Sequence, residues 1–225
     1  MLGFILSKMN LLIMVTAIFA IMAYFMIFVN QGTIGRQANA ILTNMIEETQ
    51  GVISSSGQCH QSIVRIPRYI QTVGTTSPGG KVRFTVRINK IAQGTGTEKI
   101  VSYSIWVKKG SNEEAVAAKP FSTTAEEVYL YPWEKSTSGL VILSPNTEIS
   151  FDPNGQPPAD SLMLIKEVYL GRTYLYLFPC SSEGGGGGGD HCRTNYLGLN
   201  SFQKQEPIKN RTPPEISCAN PFPTT

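Results

Sequence analysis

NLLIMVTAIFAIMAYFMIFV, residues 10–29, holds no charged side chain in twenty positions. At helical rise twenty residues cover about 30 Å, the hydrocarbon thickness of a bilayer, so the run predicts a membrane-spanning helix. A secretory signal has a shorter apolar region that closes on small residues at a cleavage site. Here Phe25, Met26, Ile27, Phe28 and Val29 stay bulky to the end, so the helix is expected to remain on the mature protein. Lys8 precedes the run with no acid to oppose it, and Arg36 follows it, so charge alone orients the helix only weakly.

The cysteines say more. Cys59, Cys180, Cys192 and Cys218 all follow the apolar run, in an even number, which fits two disulfides in an oxidising compartment. Asn210-Arg211-Thr212 is an N-glycosylation sequon, with Asn210 the candidate acceptor. Together these place the N-terminus inside and the rest of the chain outside. Three disulfide connectivities are possible. Cys180 and Cys192 bracket a glycine run, where closure costs little entropy, and that pairing leaves Cys59 for Cys218; the sequence does not choose among the three.

The chain has 225 residues and a net charge of +3, enough for one membrane segment and one domain of about 150 residues. Arg65, Arg68, Arg83, Arg87, Lys90, Lys108 and Lys109 are interleaved with strand residues rather than gathered in a stripe, so no nucleic-acid partner is expected. Cys59-His60 and His191-Cys192 mirror each other, but neither C-x₂₋₄-C nor H-x₃₋₅-H spacing occurs, and no metal is expected. Both histidines adjoin cysteines, there is no G-x-S-x-G, and Glu126, Glu127 and Asp160 have nothing to single them out. The chain reads as a non-enzyme without a cofactor.

Residues 34–53, IGRQANAILTNMIEETQGVI, put Ile34, Ala38, Ile41, Met45 and Val52 on one helical stripe with Ile46 beside it. This amphipathic helix joins the apolar one across Asn30–Gly35, where Gly32 and Gly35 each weaken a helix by roughly 1 kcal/mol relative to alanine. One long helix, kinked or locally loosened near Gly32, is expected over residues 9–55, with residues 1–8 a short leader or cytoplasmic end. Ser54, Ser55, Ser56 and Gly57 end it.

Beyond this point the period changes to two. Val82, Phe84, Val86 and Ile88 share one face of residues 81–88, and residues 101–108 alternate likewise. Further strands are expected at 127–131, 140–143, 147–151, 162–170 and 173–178. The breaks are turn chemistry: Ser77-Pro78-Gly79-Gly80, Gly94-Thr95-Gly96, Asp152-Pro153-Asn154-Gly155 and Gly171-Arg172. Short strands without intervening helices predict an antiparallel β-sandwich over residues 56–204, giving the α+β class for the whole chain. The six glycines 184–189 lack the following lysine and helix of a phosphate loop and read as a flexible surface loop. Residues 205–225 hold Pro207, Pro213, Pro214, Pro221 and Pro223 and read as an extended tail.

A hydrophobic helix continued by an amphipathic one and topped by a β-rich, cysteine-bearing head resembles the type IV pilins and pilin-like proteins, those of archaea most of all. The likeness is architectural and covers the whole chain; its specific part is MLGFILSKMNLLIMVTAIFAIMAYFMIFVNQ. It implies a membrane-inserted precursor, a leader removed by a prepilin peptidase, and a pilus-assembly machinery that bundles the helices into a cell-surface filament of like copies. Gly3-Phe4 resembles the glycine–phenylalanine junction of bacterial prepilins. The chain departs from that pattern in lacking a basic leader and in carrying Lys8 where bacterial pilins carry glutamate.

Independently of any likeness, an apolar helix has to be shielded by lipid or by copies of itself, at about 0.8 kcal/mol per buried methylene. The residues expected to carry this are Leu11, Leu12, Ile13, Val15, Ala17, Ile18, Ala20, Ile21, Ala23, Phe25 and Phe28, with Ala17, Ala20 and Ala23 leaving shallow patches for a neighbouring helix. The same residues suit a single-pass anchor whose outer domain binds a ligand or surface. Tyr129, Tyr131 and Trp133 read either as an adhesive patch or as a cover on the core.

Overall fold

The computed structural model describes residues 2–72, 80–91, 99–109, 111–132, 147–156, 158–169 and 171–181. The expected strand at 140–143, Trp133, the glycine run 184–189, Cys192, Cys218, Asn210 and the proline-rich tail lie outside them. One helix, α1 (Leu2–Ser54), precedes β1 (Cys59–Arg65), β2 (Ile70–Gln71), β3 (Lys81–Val82), β4 (Phe84–Ile91), β5 (Lys99–Lys109), β6 (Asn112–Thr123), β7 (Glu127–Leu130), β8 (Glu148–Phe151), β9 (Ser161–Tyr169) and β10 (Arg172–Cys180). The α+β class and the antiparallel-rich sheets are those the sequence predicts.

At about 1.5 Å per residue the 53 residues of α1 reach roughly 80 Å. The helix is continuous through Gly32 and Gly35, and a Cβ placed on either would meet nothing within 4 Å. Neither glycine is therefore required by packing inside this chain. The helix ends in the expected serine stretch: the Ser55 hydroxyl donates to the Val52 carbonyl at 2.7 Å.

A first sheet has the order β1-β9-β10-β7 and a second the order β6-β5-β4-β8, with β2 and β3 forming a small pair. The pairings are antiparallel except that of β7 with β10, which is parallel. Gly171, at φ +76°, turns β9 into β10, where the Gly171-Arg172 hairpin was expected. The Asp152-Pro153-Asn154-Gly155 turn also forms, closed by the Asn154 amide on the Asp152 carboxylate at 2.8 Å.

Ala38, Leu42, Met45 and Val52 of α1 join Phe84, Val86, Tyr103 and Ile105 of the second sheet and Val64, Leu164, Leu175 and Leu177 of the first in one buried core. Both four-stranded sheets contribute to that core, and the helix is its third contributor. The expected stripe is thus slightly rotated. Leu42 and Thr49 lie on the buried line, while Ile34, Ile41 and Ile46 pack half-buried at its border.

β6 was not anticipated. Its Glu113, Glu114 and run of alanines lack an apolar alternation, and it holds Pro120. It is an edge strand, where proline costs no ladder bond in the middle of a sheet. It lies against α1, with Ala117 buried in the core and Lys119 reaching Thr43. A bulge after Ile105, which pairs with Ala117 while Trp106 pairs with Ala115, leaves Val116 as the extra residue.

Candidate functional site

The helix has two halves with opposite surroundings. From Met9 to Phe28 its large apolar residues are exposed, between 43% at Val15 and 74% at Tyr24. Leu11, Leu12, Ile13, Val15, Ala17, Ile18, Ala20, Ile21, Ala23, Phe25 and Phe28 all lie on this bare stretch. None of the most apolar 18-residue window is buried within the chain. Monomeric soluble proteins rarely show a contiguous apolar surface beyond a few hundred Å², so a surface of this kind marks a contact with lipid or protein. Length and composition suffice for a membrane span.

Polar contacts lock the other half in place, none of them legible in the sequence; among them the Ser62 hydroxyl on β1 donates to the Glu48 carboxylate at 3.1 Å. Gln37 donates from Nε2 to the Gln71 carbonyl at 2.8 Å, and the Gln71 amide donates to Gln37 Oε1 at 2.9 Å. Lys119 on β6 donates to the Thr43 hydroxyl at 2.6 Å. Deeper in, the Thr49 hydroxyl donates to the Met45 carbonyl at 2.7 Å and lies 3.0 Å from the Tyr103 phenol. Burial drives the Tyr103 phenol far above the usual tyrosine range, while its Thr49 bond opposes this in part. Lys166, a buried lysine on β9, donates to the Ser55 carbonyl just past the end of the helix. A cation there meets both unpaired carbonyls and the negative end of the helix dipole.

The two sheets are tied at one end by charge. Glu127 on β7 accepts from Lys99 on β5 at 2.7 Å, with Lys90 on β4 at 3.5 Å. Burial alone would raise its carboxyl, but the Lys99 hydrogen bond and the charges of Lys99 and Lys90 outweigh this and hold it below the usual carboxylate range. Arg68 pairs with Asp160 at 3.0 Å. Arg87, on the outer face of the second sheet, stacks over Trp106 with Cζ 4.3 Å from the ring centroid.

Tyr129 and Tyr131 share a face, as expected, but it is not an open one. Tyr131 is only 3% exposed, and Tyr129 stacks on Tyr176 with centroids 5.2 Å apart. For these two the cover-on-the-core reading holds. Cys59 and Cys180 are both disulfide-bonded. The chain matches no family model, no curated protein and no solved structure.

Proposed function

We propose that this protein is the structural subunit of a type IV pilus-like filament. It is held in the membrane as a precursor by residues 9–28 and assembled through that same surface, with its β-rich head displayed outside the cell. The observation that carries this reading is the uninterrupted helix, bare and apolar in one half and built into the core of the head in the other. A subunit made this way presents a contact surface at a fixed angle to its head. An interlocking polymer needs that, whereas a tether does not.

The test is to shear surface filaments from the cells that make the protein and identify it within them. Purified chain lacking residues 1–29 should keep the core helix from Asn30 onward and remain a monomer. Filaments free of the protein, or a truncated chain that polymerises unaided, would refute the proposal. The single-pass anchor rests on the same exposed helix, and Ala17→Leu with Ala20→Leu separates the two. The double substitution retains the apolarity an anchor requires and blocks close helix approach. Filaments indifferent to it would favour the anchor.

A further inference from the structure

The first sheet is buried on both faces. One face looks into the core shared with α1. The other holds Met163, Ile165, Tyr176, Phe178, Cys180 and Tyr131, none more than 5% exposed. The described members of this second cluster all come from the first sheet or the residue after β7. One face of one sheet cannot shield itself, so another layer lies over it.

The cysteines identify the layer. Cys59 is in register with Glu167, whose carboxylate accepts from the Tyr176 hydroxyl at 2.8 Å, so Cys59 belongs to this second face. Cys180 belongs to it too, but is in register with Ser161. Ser161 and Glu167 are six residues apart along β9, about 20 Å at strand rise, and a disulfide spans no more than about 7 Å between Cα atoms. Both cysteines are disulfide-bonded, and not to each other. Cys192 and Cys218 are the other two cysteines of the sequence.

We propose that the second face of the first sheet is a docking surface for residues 182–225 of the same chain, clasped to it by two disulfides at opposite ends. The bridges are Cys59–Cys192 with Cys180–Cys218, or Cys59–Cys218 with Cys180–Cys192. Either way the stretch between Cys192 and Cys218 starts at one end of the face and finishes at the other. Its 25 intervening residues reach roughly 80 Å when extended, ample to cross a span of about 20 Å. It also brings Tyr196, Leu197, Leu199 and Phe202, apolar side chains suited to a face of methionine, isoleucine and aromatic rings. The six glycines that begin three residues after Ser181 let the chain fold back from the end of β10.

Two measurements on the full chain test this. A protease site is inserted between Gly186 and Gly187 and cut in the oxidised protein. On a denaturing gel without reductant the fragment from Gly187 onward stays attached, and it leaves when reductant is added. Release without reductant would mean that Cys192 pairs with Cys218, which overturns the clasp. In the uncut chain Tyr174, half-buried at the rim of the face, is replaced by the photoreactive p-benzoylphenylalanine. The cross-link should fall within residues 182–225. A cross-link to residues 133–146, to a second chain, or to nothing at all overturns the docking.

Discussion

Leu42→Ala and Leu12→Ala are the same chemical change on the same helix, and their effects should diverge completely. Leu42 is fully buried at 0% exposure, whereas Leu12 is 66% exposed. Truncating leucine to alanine removes the equivalent of three methylenes, about 2.4 kcal/mol of transfer free energy. A cavity among Ala38, Met45 and the sheet residues adds to this, which puts Leu42→Ala in the range of about 2–5 kcal/mol. For a domain of this size each kcal/mol lowers Tm by about 2–4 °C, so a fall of roughly 4–20 °C is expected. Leu12→Ala should leave the melt within a degree or two, since its side chain lies on the exposed stretch of the helix and outside the core. Its cost appears only where the helix meets lipid or another copy, as weaker membrane retention or less filament. Circular dichroism melts of both full-length variants in detergent, beside cell-surface yields, make the comparison. Equal Tm shifts would show that the two halves of the helix are not divided as the burial pattern says.

Three further outcomes follow from the same contacts. Tyr103→Phe removes the phenol facing Thr49 but leaves Thr49 bonded to Met45, so it should cost about 1 kcal/mol; in the parent protein an alkaline absorbance titration should show one tyrosine that does not ionise until the fold is lost. Lys166→Met strips the cation from the Ser55 carbonyl and should cost about 1–3 kcal/mol by denaturant melt, against no measurable effect for the exposed Lys108→Met. The depressed Glu127 carboxyl stabilises the fold above the usual carboxylate pKa, and this is lost as pH falls through the lower folded value. Glu127→Gln should therefore cost at most about 1 kcal/mol at pH 7 in low salt, shrinking in high salt and vanishing in acid; a deficit that persists in acid would refute the charge account.

How much of this was legible depended on whether the signal was local. The apolar run and the strict alternation of residues 84–88 are properties of adjacent residues, and both elements stand where periodicity puts them. β1, CHQSIVR, offers no alternation and was missed. β6 was missed because it packs against a helix far away in sequence and its burial follows no apolar alternation. The stripe on α1 was off by about one position, since Ile41 and Leu42 are equally apolar and only the sheets decide which is central. The contacts that fix the helix join residues 54 and 111 positions apart, Thr49 with Tyr103 and Lys166 with Ser55, and no pattern in the sequence announces them. The burial of Tyr131 and the stacking of Tyr129 on Tyr176 likewise join residues far apart in the chain.

The continuity of α1 has a mechanical side. Tension applied along the bare half runs straight into the line Ala38, Leu42, Met45, Thr49 and Val52, which lies lengthwise against the sheets. The head therefore meets a pull in shear, with Gln37–Gln71, Thr43–Lys119, Thr49–Tyr103 and Ser55–Lys166 strained together rather than unzipped one after another. Gly32 and Gly35 flank Ile34, which is already half-buried against the core, and each weakens the helix by roughly 1 kcal/mol relative to alanine. Were such subunits joined in a fibre, each head would resist the pull along the whole length of its packed helix.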